Sequence, residues 1–256
     1  MLVFKTSLKL KKFLDSKGVN VALVPTMGAL HRGHLSLVKR AFVENDYVVI
    51  SIYINPTQFN NLSDFNNYPQ NQKKDKSLLK PFKKKIIVYI PDNKEIYPNG
   101  IKSNTYDFGS LDQHMEGKFR DNHFNGVATV IETLFKNITP NKAYFGEKDF
   151  QQFQIIKSLV EQKRINTKLI LCPIVREKNG LALSSRNKHL NSSQKKLASL
   201  IYSSLKKIKR IYNQHDVNEL EKIFTNEIEH SKLLKVEYFC IVSENDLIPI
   251  KKIVNN

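Results

Sequence analysis

The 256-residue chain contains no tryptophan, two cysteines, nine glycines and no apolar run near the roughly 20 residues that a membrane-spanning helix needs. Cys172 and Cys240 lie in apolar segments without a CxxC spacing, which favours buried thiols of a reducing compartment over a disulfide. The first residues alternate lysine with apolar side chains and lack a small-residue cleavage site, so no signal peptide is expected. These absences predict a cytoplasmic protein with no membrane partner.

Arginine is scarce in a chain that is otherwise strongly basic. Only seven of the 41 basic residues are arginine, and the formal net charge is +17. Nucleic-acid recognition usually depends on arginine forks, whereas the lysines here are scattered over the whole chain. A solvated basic surface that attracts anionic ligands such as ATP is therefore favoured, with no nucleic-acid partner expected. A basic RNA-binding protein is the alternative from another class.

Short β-branched runs alternate with amphipathic stretches over the first 175 residues. The patterning predicts strands at 21–26, 47–54, 86–90, 142–145 and 168–175, and helices at 7–17, 34–45, 126–137 and 150–163. This alternation predicts an α/β fold with a doubly wound parallel sheet. Ligands of such sheets bind at the carboxyl ends of the strands.

The regular alternation of predicted strands and helices ends after residue 175. A polar turn at 176–180 suggests a hinge, and it is followed by predicted helices at 192–212 and 217–230 and strands at 236–242 and 247–254. Pro249 lacks an amide donor, which makes the last strand an edge strand. We therefore predict a ligand-binding domain over residues 1–175 and a small α+β lid domain over residues 176–256.

A strand end, a glycine loop and a helix start follow one another from Met27 to His34. Gly28 and Gly33 allow close approach of the backbone, and a helix N-terminus attracts phosphate. His31 and His34 can donate hydrogen bonds to a phosphoryl oxygen there. As an alternative interpretation, the two histidines could be solvated or could cap the helix. A metal site is weakly supported, because HExxH and a third ligand are absent, and no metal ligand is assigned.

Two further strand ends carry polar side chains. Asn55 and Gln58 follow the second predicted strand, and their amides suit an acid that carries a hydroxyl and a carboxylate. Asn-Pro at this point could equally be a simple turn signal. After the strand at 142–145, Lys148 could contact ATP phosphates and Asp149 could accept from ribose hydroxyls, although Asp149 could instead be an N-cap and Lys148 part of a surface ion pair.

Ser184, Ser185 and Arg186 combine two hydroxyls and a guanidinium just after the predicted hinge. Such a group can grip an anion, and its position suits a lid that closes over the pyrophosphate end of ATP. A helix cap or a turn is the competing interpretation.

These segments, taken in this order, resemble the pantothenate synthetase (pantoate–β-alanine ligase) family. The resemblance rests on the histidine loop, INPTQF at 54–59, FGEKDFQQ at 145–152 and GLALSSRN at 180–187, with MEG at 115–117 and HFNGV at 123–127 between them. It implies a Rossmann-like nucleotidyltransferase fold related to class I aminoacyl-tRNA synthetases. It further implies a homodimeric enzyme of the coenzyme A pathway that uses ATP with Mg²⁺ to join (R)-pantoate and β-alanine through pantoyl adenylate.

The resemblance also implies roles for individual residues. It places ATP along residues 27–34 with His34 as proton donor, and it places pantoate at Gln58 and Gln152, with β-alanine near Gln58. The remaining ATP contacts that it implies are Gly146, Lys148, Asp149, Val175 (adenine), Leu183, Ser184, Ser185 and Arg186.

The chemistry of the reaction agrees with most of these roles. The substrate carboxylate attacks the α-phosphorus, so His31, Lys148 and Arg186 need only position anions and spread charge. A carboxylate has no proton to lose, and electrostatic stabilisation is therefore favoured over proton transfer for His34. The nearest rival is a related adenylyl-transferring enzyme for another acid, which is not expected to keep both Gln58 and Gln152.

Overall fold

The computed structural model describes residues 1–251, within which a single sheet of six parallel strands forms the centre of the molecule. The strands are β1 (Leu2–Phe4), β2 (Val21–Thr26), β3 (Tyr47–Ile52), β4 (Ile86–Tyr89), β5 (Lys142–Gly146) and β6 (Lys168–Cys172). Their order is β1-β4-β3-β2-β5-β6, and every pairing is parallel. The predicted parallel sheet is confirmed, and β1 is an additional edge strand that the patterning did not predict.

The helices between successive strands cover both faces of the sheet, and two more follow β6. They are α1 (Ser7–Asp15), α2 (Arg32–Glu44), α3 (Leu62–Asn66), α4 (Gln72–Leu79), α5 (Asn93–Ile96), α6 (Glu116–Phe119), α7 (His123–Ile138), α8 (Phe150–Gln162), α9 (Ser192–Ile211) and α10 (Val217–Glu229). Each helix predicted from the sequence is present, with its ends shifted by a few residues at most. Within residues 1–251, none of them combines the length and the apolar composition needed to cross a bilayer.

Apolar side chains from the two faces of the sheet form two separate cores. On one face, Leu23 packs with residues of α1, α7 and α8, such as Ile155. On the other, Val24 packs with residues of α2 and α4, such as Val38 and Leu79. Because a buried aliphatic side chain contributes roughly 1.5–3 kcal/mol, the strands are held as a rigid platform for the loops at their carboxyl ends.

Strand order reverses between β2 and β5. From β2 the chain proceeds outward through β3 and β4, and it then returns to place β5 on the opposite side of β2. The loops after β2 and β5 therefore run to opposite faces and leave a crevice between them. Such a switch point is where doubly wound sheets bind their ligands.

The segment after β6 consists mainly of helices with their own apolar cluster. Ile208 of α9 packs with Leu220 and Phe224 of α10. The strands predicted at 236–242 and 247–254 are not regular strands, since the described part of this region shows only an isolated antiparallel bridge between Val242 and Pro249. Leu247 has a left-handed φ of 57°, which interrupts an extended run. The predicted strand's last residues, 252–254, lie outside the described residues.

Candidate active site

A cavity of about 610 Å³ opens at the carboxyl ends of β2 and β5. This volume falls in the range of about 300–1,000 Å³ that is typical of small-molecule sites. The predicted site residues that line it are Met27, His31, Gly33, His34, Asn55, Gln58, Gly146, Lys148, Asp149, Gln152, Val175, Leu183, Ser184, Ser185 and Arg186. Of the predicted set, Gly28 alone is not part of the wall. Segments that are distant in sequence thus meet around one space.

The two imidazoles cap helix α2 and leave one donor each for a ligand. Nδ1 of His31 accepts from the Gly33 N–H at 3.1 Å, and Nδ1 of His34 accepts from the His31 N–H at 3.3 Å. A neutral ring whose Nδ1 accepts carries its proton on Nε2. A Cβ on Gly33 would lie 2.9 Å from Cε1 of His31, so glycine leaves room for this ring. With ring centroids 4.0 Å apart, two Nε2–H donors stand side by side at the positive end of α2.

Both imidazoles are neutral at pH 7. Burial lowers the pKa of His31 to about 4, and the charge of Lys148 is the second cause of this lowering. Burial likewise lowers the pKa of His34 to about 3, with the neighbouring His31 as the second cause. Neutral rings with a proton on Nε2 can supply hydrogen-bond donors to a ligand.

Asp75 holds the loop that precedes α2, although nothing in the sequence singles it out. The residue is 1% exposed, and its carboxylate accepts from the N–H groups of Ala29 at 3.0 Å and Leu30 at 2.7 Å. Gly28 has a φ of +81°, and a Cβ there would lie 3.1 Å from the Asp75 carboxylate. Gly28 thus shapes the loop, and it is not among the residues that line the cavity. Asp75 stands among lysines in KKDK, a pattern typical of a solvated helix face.

Asn55 orients Gln58, and its own amide is fully engaged. Its Nδ2 donates to Oε1 of Gln58 at 3.1 Å and to the Gly126 carbonyl at 3.0 Å, while its Oδ1 accepts from Thr57 and Tyr97. The residue is 1% exposed. The sequence predicts that Asn55 contacts a substrate directly; in the structure it lines the cavity and its hydrogen bonds also support Gln58. The Gln58 Nε2 donates to the sulfur of Met27, a weak acceptor that a ligand oxygen can replace.

The loop after β5 brings charge and open backbone to the cavity. A Cβ on Gly146 would meet no atom within 4 Å, so this stretch is accessible to a ligand. Lys148 Nζ donates to the Asp149 carboxylate at 3.0 Å. Asp149 occupies the N-cap position of α8 but makes no side-chain capping bond. Gln152 lines the cavity, and so does the adjacent Gln151, which is buried and whose side-chain hydrogen bonds support residues 111–116.

The serine–arginine group reaches the cavity from the segment that follows the turn at 176–180. Ser185 is buried, and its hydroxyl donates to the Ala29 carbonyl at 3.1 Å, which ties this segment to the histidine loop. The Ser184 hydroxyl caps the turn by accepting from the Arg186 N–H. Arg186 forms a bidentate pair with Asp64, with N–O distances of 3.0 and 2.8 Å. This guanidinium therefore has a carboxylate partner that a phosphate could replace.

The cavity wall also contains residues outside the set predicted from the sequence. Among these are Tyr68, Glu116, Arg120, His123 and Tyr238. The MEG and HFNGV motifs contain two of them and were the available signal. Tyr238 comes from the C-terminal segment, donates to the Glu116 carboxylate at 2.8 Å and stacks on Phe119. The C-terminal segment thus contributes directly to the wall.

We expect His123 to make folding stability depend on pH. Burial lowers its pKa to about 4, with Arg120 as a further cause, whereas the unfolded chain titrates near 6.5. The unfolded state therefore binds more protons between these values, and the free energy of unfolding should fall as pH falls, by up to about 1.4 kcal/mol per pH unit. Urea unfolding at pH 7, 6 and 5 would measure this. His123→Asn should show a shallower dependence, and an identical one would contradict the assignment.

Fold and site together define an α/β enzyme that binds a nucleotide at the switch point of a parallel sheet. A family model described as pantoate-beta-alanine ligase matches residues 2–255. The chain is 41% identical to a pantothenate synthetase of Flavobacterium psychrophilum, covering 98% of this chain and 90% of the relative. It is 45% identical to a pantothenate synthetase of Christiangramia forsetii, covering 93% and 84%. The chain belongs to the pantoate–β-alanine ligase family.

Solved structures agree with this membership. Pantothenate synthetase from Thermus thermophilus has a TM-score of 0.91 at 36% identity, covering 99% of this chain and 91% of that one. Pantoate-beta-alanine ligase from Francisella tularensis, complexed with beta-gamma ATP and beta-alanine, has a TM-score of 0.84 at 38% identity, covering 95% and 90%. The predicted nucleotidyltransferase fold is thereby confirmed.

Proposed function

We propose that the cavity carries out the family's reaction, the ATP-dependent condensation of pantoate and β-alanine to pantothenate, with the residue roles given below. The ligase activity follows from the match to the pantoate-beta-alanine ligase family model and from relatives named pantothenate synthetase, which cover nearly the whole chain. The observation that supports the substrate assignment best is that Gln58 and Gln152 open into the same cavity as the histidine pair. A related enzyme for another acid would have no need of both amides there.

In the first half-reaction, the pantoate carboxylate attacks the α-phosphorus of ATP and pyrophosphate leaves. Such a step needs two anions to be positioned and the charge on the phosphoryl group to be spread. The neutral Nε2–H groups of His31 and His34 supply preorganised donors for that charge. Lys148 and Arg186 add positive charge, and the attacking group belongs to the substrate, so no protein nucleophile is required.

The remaining contacts follow from the resemblance to the family and from the segments that line the cavity. We assign adenine to the Val175 backbone, ribose and phosphates to Gly146 through Asp149, and the pyrophosphate end to the Ser184–Ser185–Arg186 group. Arg186 would exchange the Asp64 carboxylate for phosphate oxygens, so that one charge-assisted pair replaces another. Pantoate would replace the Met27 sulfur as the partner of Gln58 Nε2 and would lie against Gln152.

Mg²⁺ would enter with the triphosphate. Residues 1–251 contain no group of three or more His, Cys, Asp or Glu side chains suited to hold a metal ion. Mg²⁺ commonly binds through substrate phosphates, water and one or two carboxylates, and Asp149 is the carboxylate beside Lys148 in the wall. The donor set thus fits an ion that ATP carries, and its contribution would be to neutralise phosphate charge.

Pyrophosphate exchange into ATP tests the substrate assignment. We expect labelled pyrophosphate to enter ATP only when pantoate is present, because the reversible step requires the acid to attack the α-phosphorus. Acids of similar size without the pantoate hydroxyls should support exchange at least about 10- to 100-fold less well, since the amides of Gln58 and Gln152 would lose their partners. Equal exchange with unrelated acids would contradict the assignment and favour another adenylyl-transferring enzyme.

Three further features belong to the same proposal. We propose that residues 176–256 act as a lid over the nucleotide, supported by the contacts of Ser185 and Tyr238 with elements of the first 175 residues. We propose a homodimer, for which the exposed Leu2 and Val3 of edge strand β1 offer apolar surface. We also propose a cytoplasmic location, in keeping with two thiols that form no disulfide within residues 1–251.

A further inference from the structure

We propose that Gln151 is a positioning residue for acid selectivity: its buried amide holds residues 114–117 in a strained turn and thereby fixes the cavity wall beside Gln152. This inference rests on the proposed function, in which Gln152 contacts pantoate. Gln151 lines the cavity at the start of α8 and has no role in the adenylation step described above.

The turn at residues 114–117 has a backbone conformation that a side chain disfavours. Met115 has φ 53° and ψ −129°, and the Gly117 N–H donates to the His114 carbonyl at 3.0 Å, which closes a β-turn. These are the angles of the first central residue of a type II′ turn, a position that glycine usually occupies because a Cβ crowds the backbone there. The conformation therefore costs free energy that contacts from outside the turn must offset.

Gln151 makes such contacts on both sides of Met115. Its Nε2 donates to the carbonyls of Leu111 and His114, both at 2.8 Å, and its Oε1 accepts from the Glu116 N–H at 3.1 Å. The bond to Glu116 orients the central peptide of the turn, whose reversal would change the turn type. Gln151 is 4% exposed, so water competes little for these bonds. Both amide hydrogens and the amide oxygen serve the backbone of residues 111–116.

Two other contacts press the turn against its surroundings. A Cβ on Gly117 would lie 1.9 Å from the Asp112 carbonyl oxygen, so the chain folds closely on itself here. On the other side, the Glu116 carboxylate accepts from the Tyr238 hydroxyl at 2.8 Å. The turn is thus held from α8 by Gln151 and from the C-terminal segment by Tyr238.

The strained turn belongs to the part of the wall that we assign to the acid. Met115 and Glu116 line the cavity together with Gln152. Gln151 and Gln152 are consecutive in the first turn of α8, so the helix that presents the proposed substrate amide also sets the position of the turn. Backbone strain of this kind is concentrated at functional sites. Because a preorganised wall adapts poorly to a ligand of another shape, this link makes the cavity selective for its acid.

Met115→Gly and Met115→Ala together test the strain. Both remove the side chain beyond Cβ, but only alanine keeps the Cβ that crowds the turn. We expect the equilibrium constant for unfolding, measured by urea titration, to be about 5- to 100-fold smaller for Met115→Gly than for Met115→Ala. Glycine normally lowers stability relative to alanine, so equal constants or the opposite order would overturn the strained turn.

Gln151→Met tests the positioning role, because methionine has a similar shape but makes none of the three hydrogen bonds. Gln154→Met is the matched control: Gln154 is also a buried glutamine of α8 and donates to a backbone carbonyl, that of Glu244 at 2.6 Å, but it does not line the cavity. In pyrophosphate exchange, we expect Gln151→Met to raise the half-saturating pantoate concentration about 10- to 100-fold, with that of ATP within about threefold of the wild type. Gln154→Met should leave both values within about threefold.

Selectivity is measured with 2,4-dihydroxybutanoate, which keeps the hydroxyls of pantoate but lacks its two methyl groups. In Gln151→Met, the ratio of exchange with pantoate to exchange with this acid should fall about tenfold, whereas Gln154→Met should keep the wild-type ratio. An unchanged ratio, or equal increases in the half-saturating concentrations of pantoate and ATP, would overturn the role of Gln151.

Gln151→Glu decides the same question if the methionine variant does not fold. Glutamate keeps an acceptor for the Glu116 N–H and loses the amide donors, so we expect a smaller rise in the half-saturating pantoate concentration, of about 3- to 10-fold. No rise in this variant would also contradict the role. Failure of the proposed function would appear differently, as absent pantoate-dependent exchange in the wild type.

Discussion

Replacing Asp75 by alanine should destabilise the protein by about 3–5 kcal/mol and abolish adenylation, although Asp75 does not line the cavity. The substitution would leave the N–H groups of Ala29 and Leu30 buried without an acceptor, and unpaired buried groups of a charged network carry costs of this size. The loop that positions His31 would lose its anchor. Urea unfolding and pyrophosphate exchange measure the two effects.

Two matched variants make this result specific. Asp75→Asn keeps the shape and one acceptor oxygen, so an intermediate loss is expected. Asp64→Ala removes a carboxylate that is 38% exposed and pairs with Arg186, and surface pairs are worth at most about 1 kcal/mol. If Asp75→Ala and Asp64→Ala unfolded at the same urea concentration, the anchoring role of Asp75 would be wrong.

Replacing His34 should slow adenylation by about 10²- to 10³-fold through loss of a donor to the transferring phosphoryl group. His34→Asn keeps an acceptor for the His31 N–H but loses Nε2–H, and it should show this full effect. His34→Gln keeps a distal donor and loses the cap, so a smaller effect of about tenfold is expected. The rate of pyrophosphate exchange at saturating ATP and pantoate is the measurement.

The pH dependence separates this role from proton donation. Burial lowers the pKa of His34 to about 3, so the ring is already neutral across the range from pH 6 to 9. The exchange rate of the wild type and of both variants should therefore have the same shape over this range. A titration limb that is present in the wild type and lost in His34→Asn would show that the ring donates a proton instead.

The elements of the fold could be predicted because their signals are local. Runs such as 47–52 are apolar on both faces of a strand, and α2 or α9 show the period of an amphipathic helix, so neighbouring residues suffice. The prediction of regular strands in the C-terminal segment was wrong, because the apolar pattern does not report the backbone angle of each residue. Leu247 adopts a left-handed φ where its apolar neighbours predicted an extended segment.

The site was only partly predictable. The histidine pair, the two glutamines and the serine–arginine group were identified from residue types at strand ends and from the resemblance they carry. The supporting roles of Asp75 and Asn55 depend on hydrogen bonds between segments that are far apart in the chain. No pattern within one segment distinguishes a carboxylate that anchors a loop from one on a solvated helix.

The sequence by itself determined the parallel α/β fold, its family and the chemical groups available for catalysis. The spacing of hydrophobic residues and the motifs at strand ends can be recognised within short stretches of consecutive residues. The tertiary structure decided which of these groups face the ligand, which tautomer each histidine adopts and which carboxylate is buried. These properties depend on distances between residues brought together by folding: His123 is an acceptor toward the cavity only because the Gln58 carbonyl occupies its other nitrogen.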